Sequence, residues 1–293
     1  MTDQYSILIT GSNGYCGSHI YKHFKNKNDK FQVYSTSRRN QLNSNHIQHD
    51  LFNPISINLF PKKIDCIIHC AGNLEHTSEF SVVKDNLKMG FNICQYAIKA
   101  KCEHFINLSS VMVYGKNGID LPINENSPKF PFTIYGLSKL LVENLINGML
   151  SNFLNVTNLR IGKVISKNIP QRYFLAKFKK SFLKGEPITL VNPDKTKFNF
   201  IELDDITKIC ELLINTKNNG DFNIVSNEHP SLRQIIKEMK KYFNSSSTIN
   251  EIVKERSEEF TFTFTNKKIK ELLNVDFKPY HDTFNDIFQN NDE

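Results

Sequence analysis

The sequence lacks any apolar run long enough to span a bilayer, which excludes a helical membrane protein. No secretory leader is expected, because Met1-Thr2-Asp3-Gln4-Tyr5 leads almost directly into the strand-like Ile7-Leu8-Ile9. The expected location is therefore the cytoplasm. Six cysteines (Cys16, Cys66, Cys70, Cys94, Cys102, Cys210) show no disulfide-framework spacing and are expected to stay reduced there. The run Cys66-Ile67-Ile68-His69-Cys70 raises the question of a metal. In a strand, positions 66 and 70 face one side and His69 the other, so the three do not converge and no metal is expected. The formal net charge is +7 with no dense basic run, which argues against nucleic acid and leaves a mild preference for anionic ligands such as phosphates. No internal repeat or low-complexity linker is present.

What is there reads as a globular α/β chain of 293 residues, 39% hydrophobic and 23% charged. Strand patterns fall at Ser6–Thr10, Gln32–Ser35, Cys66–Cys70, His104–Ser109 and Val156–Ile161. Helical patterns fall at Tyr15–Lys25, Val82–Lys99 and Tyr135–Leu150. This alternation predicts a Rossmann-like, doubly wound parallel sheet covered on both faces. Beyond Gly162, Pro170, Pro187 and Pro193 punctuate shorter elements, and Phe260-Thr261-Phe262-Thr263-Phe264 alternates like a hairpin arm. The expected organisation is a dinucleotide-binding domain over 1–162, to which 204–225 returns, and a smaller C-terminal substrate-binding region over 163–203 and 226–293.

The first strand runs into Thr10-Gly11-Ser12-Asn13-Gly14-Tyr15-Cys16-Gly17 and then an amphipathic helix. Glycines at 11, 14 and 17 permit a tight turn, close backbone approach to a pyrophosphate, and helix-on-strand packing. The helix N-terminus adds unpaired N–H groups and a partial positive charge. A bare turn is the alternative, but a strand before and a helix after make the dinucleotide loop the better reading. At the end of the second strand, Ser37-Arg38-Arg39 stands where an acid would hold the ribose hydroxyls of NAD. A guanidinium fork suits a 2′-phosphate, so NADP(H) is favoured over NAD(H). Ordinary solvated loop charges are the alternative for both arginines.

Tyr135 and Lys139 lie four apart, hence on one helical face. A free phenol is a poor base at neutral pH, and an adjacent ammonium lowers its pKa. Ser110, at the end of Asn107-Leu108-Ser109-Ser110, is a candidate hydroxyl donor to the substrate oxygen.

Together these pieces resemble the extended branch of the short-chain dehydrogenase/reductase superfamily, the NAD-dependent epimerase/dehydratase family of nucleotide-sugar epimerases, dehydratases and reductases. The matching segments are the glycine loop, Asp50-Leu51, His69-Cys70-Ala71-Gly72, Asn86, Ser109 through Gly115, and Tyr135 with Lys139. Asn199 through Ile206 matches more loosely. The resemblance implies that Asp50 and Leu51 flank the adenine and that Cys70, Ala71, Gly72, Asn86 and Ser109 border the cofactor. It further implies Ser110 as hydroxyl donor, Tyr135 as acid/base and Lys139 as ribose holder. Relatives commonly pair through the helix carrying the tyrosine and lysine, so a homodimer is expected.

Three departures narrow that reading. Val111 and Met112 stand where sugar 4,6-dehydratases carry an Asp-Glu pair, so water elimination lacks its acid and base. Lys163 replaces an asparagine beside the substrate, and a lysine binds phosphate as a point charge. Phe198, with Lys195 and Lys197 nearby, stands where many relatives grip the nucleotide diphosphate with arginine. Either the lysines substitute, or the substrate is not a usual nucleoside diphosphate sugar. The expected activity is reduction of a keto group on an activated sugar, with epimerisation as the alternative. A non-catalytic dinucleotide sensor and a reductase of non-nucleotide carbonyls are the remaining readings.

Overall fold

The computed structural model describes residues 4–41, 44–74, 79–115, 121–167, 169–171, 173–254 and 262–289. The chain divides into two compact units. One comprises Met1–Ile119, Glu125–Ile161 and Ile206–Asn223; the other Asp120–Asn124, Gly162–Asp205 and Ile224–Glu293.

The first unit is built on strands β1 (Tyr5–Thr10), β2 (Phe31–Ser37), β3 (His46–Gln48), β4 (Cys66–His69), β5 (His104–Ser110) and β6 (Asn155–Ile161). Its helices are α1 (Tyr15–Lys25), α2 (Glu79–Lys99) and α3 (Ile134–Leu150). Ile7, Leu8 and Ile9 are all fully buried, as a strand covered on both faces demands. β1 pairs in parallel with β2 on one side and β4 on the other; β2–β3, β4–β5 and β5–β6 are also parallel. Later strands of the chain are β7 (Lys163–Ile165), β8 (Ile188–Val191), β9 (Phe200–Glu202), β10 (Gly220–Ile224) and β11 (Ile249–Ile252). The central sheet has the order β10-β6-β5-β4-β1-β2-β3, the arrangement of a Rossmann-like α/β fold. Strand order reverses between β1 and β4, so the loops leaving their carboxyl ends flank the crevice where such sheets bind ligands. Leu8, Ile67, Phe105 and Val156 from the sheet pack with Ile93, Ala97, Val142 and Ile146 from α2 and α3.

Helix boundaries follow local chemistry. Thr133 caps α3, its Oγ1 accepting the Gly136 N–H at 3.0 Å. Gly14 is the N-cap of α1 and, as a glycine, provides no side-chain cap. The 14-residue α5 (Leu203–Thr216) opens with Asp204 and Asp205, acids that suit the positive end of the helix dipole. The unit boundary falls within α5 and β10.

The second unit has two small parallel pairs, β7–β9 and β8–β11. Its helices are α4 (Phe174–Lys184), α6 (Leu232–Tyr242), α7 (Lys267–Leu273) and α8 (Tyr280–Gln289). A separate core gathers Leu175, Phe182, Ile188, Phe200, Ile236, Met239 and Phe284. α6 carries a reciprocal capping box between Ser231 and Gln234. Phe260 and Thr261 lie outside the described residues. The expected hairpin arm is corrected over the rest: Phe264 forms an isolated parallel bridge to Ile123. Thr263 O accepts from Ile123 N, and Thr265 N donates to Ile123 O, so this stretch pairs with a distant segment. Among the described residues, no helix is long and apolar enough to cross a membrane.

Candidate active site

The glycine loop is shaped by contacts no side chain could survive. Gly11 has φ +64°, and a Cβ there would sit 2.8 Å from the backbone of Ala71. A Cβ on Gly17 would meet the Gly11 carbonyl oxygen at 2.3 Å. The Gly11 oxygen accepts the Gly14 N–H at 2.8 Å, closing the turn before α1. Ser12 is buried, its N–H and hydroxyl both reaching Thr36 O at 3.3 Å. Tyr15 and Cys16 open α1 itself. This helix start at the sheet's switch point, with a glycine N-cap, has the shape and polarity of a pyrophosphate cradle.

Thr10 ties that cradle to the loop after β4. Its Oγ1 accepts the N–H groups of Cys70 and Ala71, each at 3.2 Å, and lies 2.8 Å from His69 Nδ1. With both lone pairs used, the threonine proton goes to Nδ1, which requires a neutral imidazole. Burial, with Lys139 adding to it, pushes the His69 pKa down to about 3. His69 is thus a structural group, and Cys66 and Cys70 are thiols pushed well above their ordinary range by burial.

At the end of β2, Arg38 and Arg39 are exposed. The Ser37 hydroxyl donates to Arg39 O at 2.7 Å and accepts from Asn13 Nδ2 at 2.8 Å, so the arginine turn is fastened to the glycine loop. Asp50 is exposed, with Oδ1 accepting the Phe52 N–H at 3.1 Å; Leu51 is buried in the core cluster.

Asn86 is buried and fully engaged. Its Oδ1 accepts the Asn73 N–H at 2.6 Å, and its Nδ2 donates to Ser138 Oγ at 3.0 Å. It braces the Ala71-Gly72-Asn73 loop against α3. Lys139 is buried beneath that loop: a Cβ on Gly72 would lie 3.5 Å from Nζ. Nζ donates to Leu108 O at 2.8 Å and lies 6.0 Å from the Tyr135 ring centroid. Desolvation lowers the Lys139 pKa from the ordinary lysine value. Tyr135 is half-buried on the first turn of α3. Ser110 caps a one-turn 3-10 helix over Val111–Val113, accepting the Met112 N–H at 3.2 Å. Val111 and Met112 are half-buried and bring no carboxylate.

Ser109 behaves differently from its neighbour. Its hydroxyl donates to Glu143 Oε1 at 2.5 Å, and Glu143 pairs with the fully buried Arg160, Nη2 to Oε2 at 2.9 Å. Sequence reasoning missed Thr10, Glu143 and Arg160. The available signal was Glu143's place one turn beyond Lys139 on the helical face that carries Tyr135.

In the second unit, Lys163 Nζ lies 5.0 Å from the Phe174 ring centroid and 5.9 Å from that of Tyr173. Desolvation lowers its pKa. Phe198 is stacked on Phe174 at 4.8 Å and on Phe200 at 5.5 Å.

A glycine cradle at the switch point of a parallel sheet, with a tyrosine and lysine on the adjoining helix, defines a dinucleotide-binding α/β protein of the extended short-chain dehydrogenase/reductase type. The model of the NAD dependent epimerase/dehydratase family matches residues 7–225, and the chain belongs to that family. The dTDP-D-glucose 4,6-dehydratase of Dictyostelium discoideum is 27% identical over 239 residues, covering 71% of this chain and 55% of that protein. The dTDP-4-dehydro-6-deoxyglucose reductase of Escherichia coli is 27% identical, covering 64% of this chain and 61% of that one. The ADP-L-glycero-D-manno-heptose-6-epimerase of Brachyspira hyodysenteriae is 25% identical, covering 82% of both. The chain thus matches little more than half the length of the Dictyostelium dehydratase. Among solved structures, a Bacillus cereus UDP-glucuronic acid 4-epimerase in complex with UDP-glucuronic acid and NAD superposes with TM-score 0.84 at 23% identity, covering 97% and 98% of the two chains. The Bordetella bronchiseptica enzyme WbmG in complex with NAD gives the same TM-score at 19% identity, covering 98% and 94%. Both show the fold.

Proposed function

We propose that this protein is a nicotinamide-dependent oxidoreductase acting on an activated, nucleotide-linked sugar, with keto reduction as its leading activity. The observation that carries the reading is Lys139: a buried ammonium under the Gly72 loop, bonded to the strand that ends in Ser110 and facing Tyr135. When bound, the dinucleotide supplies or accepts the hydride. Gly11, Gly14 and Gly17 hold its pyrophosphate against α1, and Asp50, Leu51, Cys70, Ala71 and Gly72 border its adenosine and ribose. Lys139 holds the ribose and sets a positive charge beside Tyr135. Ser110 donates to the substrate oxygen, and Tyr135 gives or takes the proton there.

Val111 and Met112 remove the carboxylates that dehydration needs, so the chain is not placed with its dehydratase relative. Epimerisation is favoured as the second reading by the Brachyspira relative, whose coverage is the broadest of the three. Purified protein that carries tightly bound cofactor and consumes no free reduced dinucleotide with 4-keto sugars would be an epimerase. Tyr135→Phe is expected to cut turnover by about 10²–10⁴-fold while leaving dinucleotide affinity nearly unchanged. Undiminished turnover would leave only a dinucleotide-binding sensor.

The cofactor form turns on Arg38 and Arg39. The solved neighbours named above carry NAD, whereas this chain offers two exposed guanidinium groups and no acid at the end of β2. We infer that it accepts the 2′-phosphate. Arg38→Ser with Arg39→Ser is expected to weaken NADPH and spare NADH in parallel titrations; equal loss of both would refute the inference. Lys163, held over Tyr173 and Phe174, supplies a cation for the sugar's phosphate. A homodimer, measured by light scattering, is the expected solution state.

A further inference from the structure

Behind the tyrosine and lysine lies a buried charge cluster that hydride transfer itself does not call for. Arg160 on β6 is completely buried, and all five of its N–H donors are used. Nε donates to Glu143 Oε1 at 3.1 Å, and Nη2 to Glu143 Oε2 at 2.9 Å and to Asp221 Oδ2. Nη1 donates to the Tyr114 hydroxyl at 3.0 Å and to Glu125 O at 3.3 Å. The Tyr114 hydroxyl in turn donates to Asn223 Oδ1 at 2.8 Å, and Glu125 Oε1 accepts the Asn223 N–H at 2.8 Å. Glu143 takes a third donor, the Ser109 hydroxyl. A carboxylate gripped by a guanidinium fork and a hydroxyl has no rotational freedom left.

That carboxylate sits one helical turn from Lys139 and two from Tyr135, on the same face of α3. Its hydroxyl donor, Ser109, immediately precedes Ser110. One fixed anion therefore lies on the helical face of Tyr135 and Lys139 and bonds to the residue that precedes Ser110. We propose that Glu143 is a positioning residue: held by Arg160 and Ser109, it keeps Lys139 charged and in place beneath the dinucleotide. The proposal rests on the reading of Lys139 as the ribose-holding group.

The groups acting on Lys139 from each element are few. They are Cys16 from α1, His69 and Cys70 from the β4 end, and Tyr135 and Glu143 from α3. Burial raises both thiols, Cys16 to about 11 and Cys70 well above its ordinary value, so neither carries charge at neutral pH. His69 is neutral. Of these groups, only Glu143 is an anion that offsets the desolvation of the ammonium.

The test is a set of NADH titrations between pH 6 and 10, read by the fluorescence of the nucleotide, which is uncomplicated because the chain has no tryptophan. In the wild type, affinity is expected to fall as pH rises through the Lys139 pKa, and Lys139→Met to abolish that dependence. Glu143→Gln is expected to move the midpoint down by about one pH unit or more, whereas Glu143→Asp, which keeps the charge, restores most of it. Should Glu143→Gln not fold, the double variant Glu143→Met with Arg160→Met removes the pair as a unit, which buried ion pairs often tolerate; the same downward shift is expected. An unmoved midpoint in either variant overturns the positioning role. If Lys139→Met leaves the pH dependence intact, the ribose-holding reading falls instead, and if NADH does not bind at all, the dinucleotide reading falls.

Discussion

One substitution, glycine to alanine, is expected to have opposite consequences at two helical positions. At Gly17, within α1, the new Cβ would lie 2.3 Å from the Gly11 carbonyl oxygen and 2.8 Å from its carbon. Ordinary contact between heavy atoms is about 3.5 Å, so loop and helix must part by about 1 Å. Nothing flexible absorbs the shift, because the clashing atoms are backbone and the same oxygen closes the turn on Gly14. The roughly 1 kcal/mol by which alanine favours a helix does not offset such an overlap. The displaced atoms belong to the proposed pyrophosphate cradle, so dinucleotide affinity is expected to fall at least tenfold, about 1.4 kcal/mol. At Gly148, near the end of α3, a Cβ meets nothing within 4 Å. Alanine there removes backbone freedom from the unfolded chain and is expected to stabilise by about 0.5–1 kcal/mol, raising Tm by roughly 1–3 °C. The assay is calorimetric titration with NADH alongside thermal melts. Wild-type NADH affinity in Gly17→Ala, with the helix content unchanged, would refute the cradle as described.

Two further outcomes follow from buried polar groups. Arg160→Met alone strands the carboxylates of Glu143 and Asp221 and is expected to cost about 3–5 kcal/mol, measured by urea unfolding. The double variant with Glu143→Met should be less damaging than the single one. The acid limb of stability should be governed in part by histidines. Burial, with Lys139 assisting at one site and Lys217 at the other, holds His69 near a pKa of about 3 and His104 of about 4. Both values lie below the roughly 6.5 of an unfolded chain, so their contribution is complete above pH 6.5. It is lost as pH falls toward the folded values, by up to about 2.7 kcal/mol per pH unit for the pair. His104→Gln, which keeps a partner for Thr157 Oγ1, is expected to flatten that slope by about half; an unchanged slope would show that His104 is protonated in the fold.

Much of the first unit was legible because its information is local. α1 begins and ends where the apolar period and glycine loop place it, and β1, β4, β5 and β6 are short apolar runs bounded by polar turns. β3 was not legible: His46-Ile47-Gln48 has one apolar residue and no period. It is held as an edge strand by side chains of β2, with Ser35 Oγ 2.9 Å from His46 Nδ1 and Thr36 Oγ1 donating to Ile47 O at 2.8 Å. The partner of Phe264 was likewise hidden, because Ile123 lies far away in the chain. In the candidate site, spacing singled out Gly11 to Gly17 and put Tyr135 and Lys139 on one helical face, while the family resemblance supplied the roles expected of them and of Ser110. Arg160 was not, since its partners at 114, 125, 143 and 221 follow no period and only folding brings them together.

The first unit is assembled from three stretches of chain, and this bears on its synthesis. Arg160 is complete only when Asp221 and Asn223 arrive, and β10 must be added beside β6 to finish the sheet. A nascent chain that has left the ribosome only through β9 carries the glycine loop, Tyr135 and Lys139 but holds a buried cation short of one carboxylate. The first unit cannot close before the intervening segments of the second have been made. Vectorial folding of this protein therefore waits on the start of its last quarter, and the arginine acts as the latch that records its arrival.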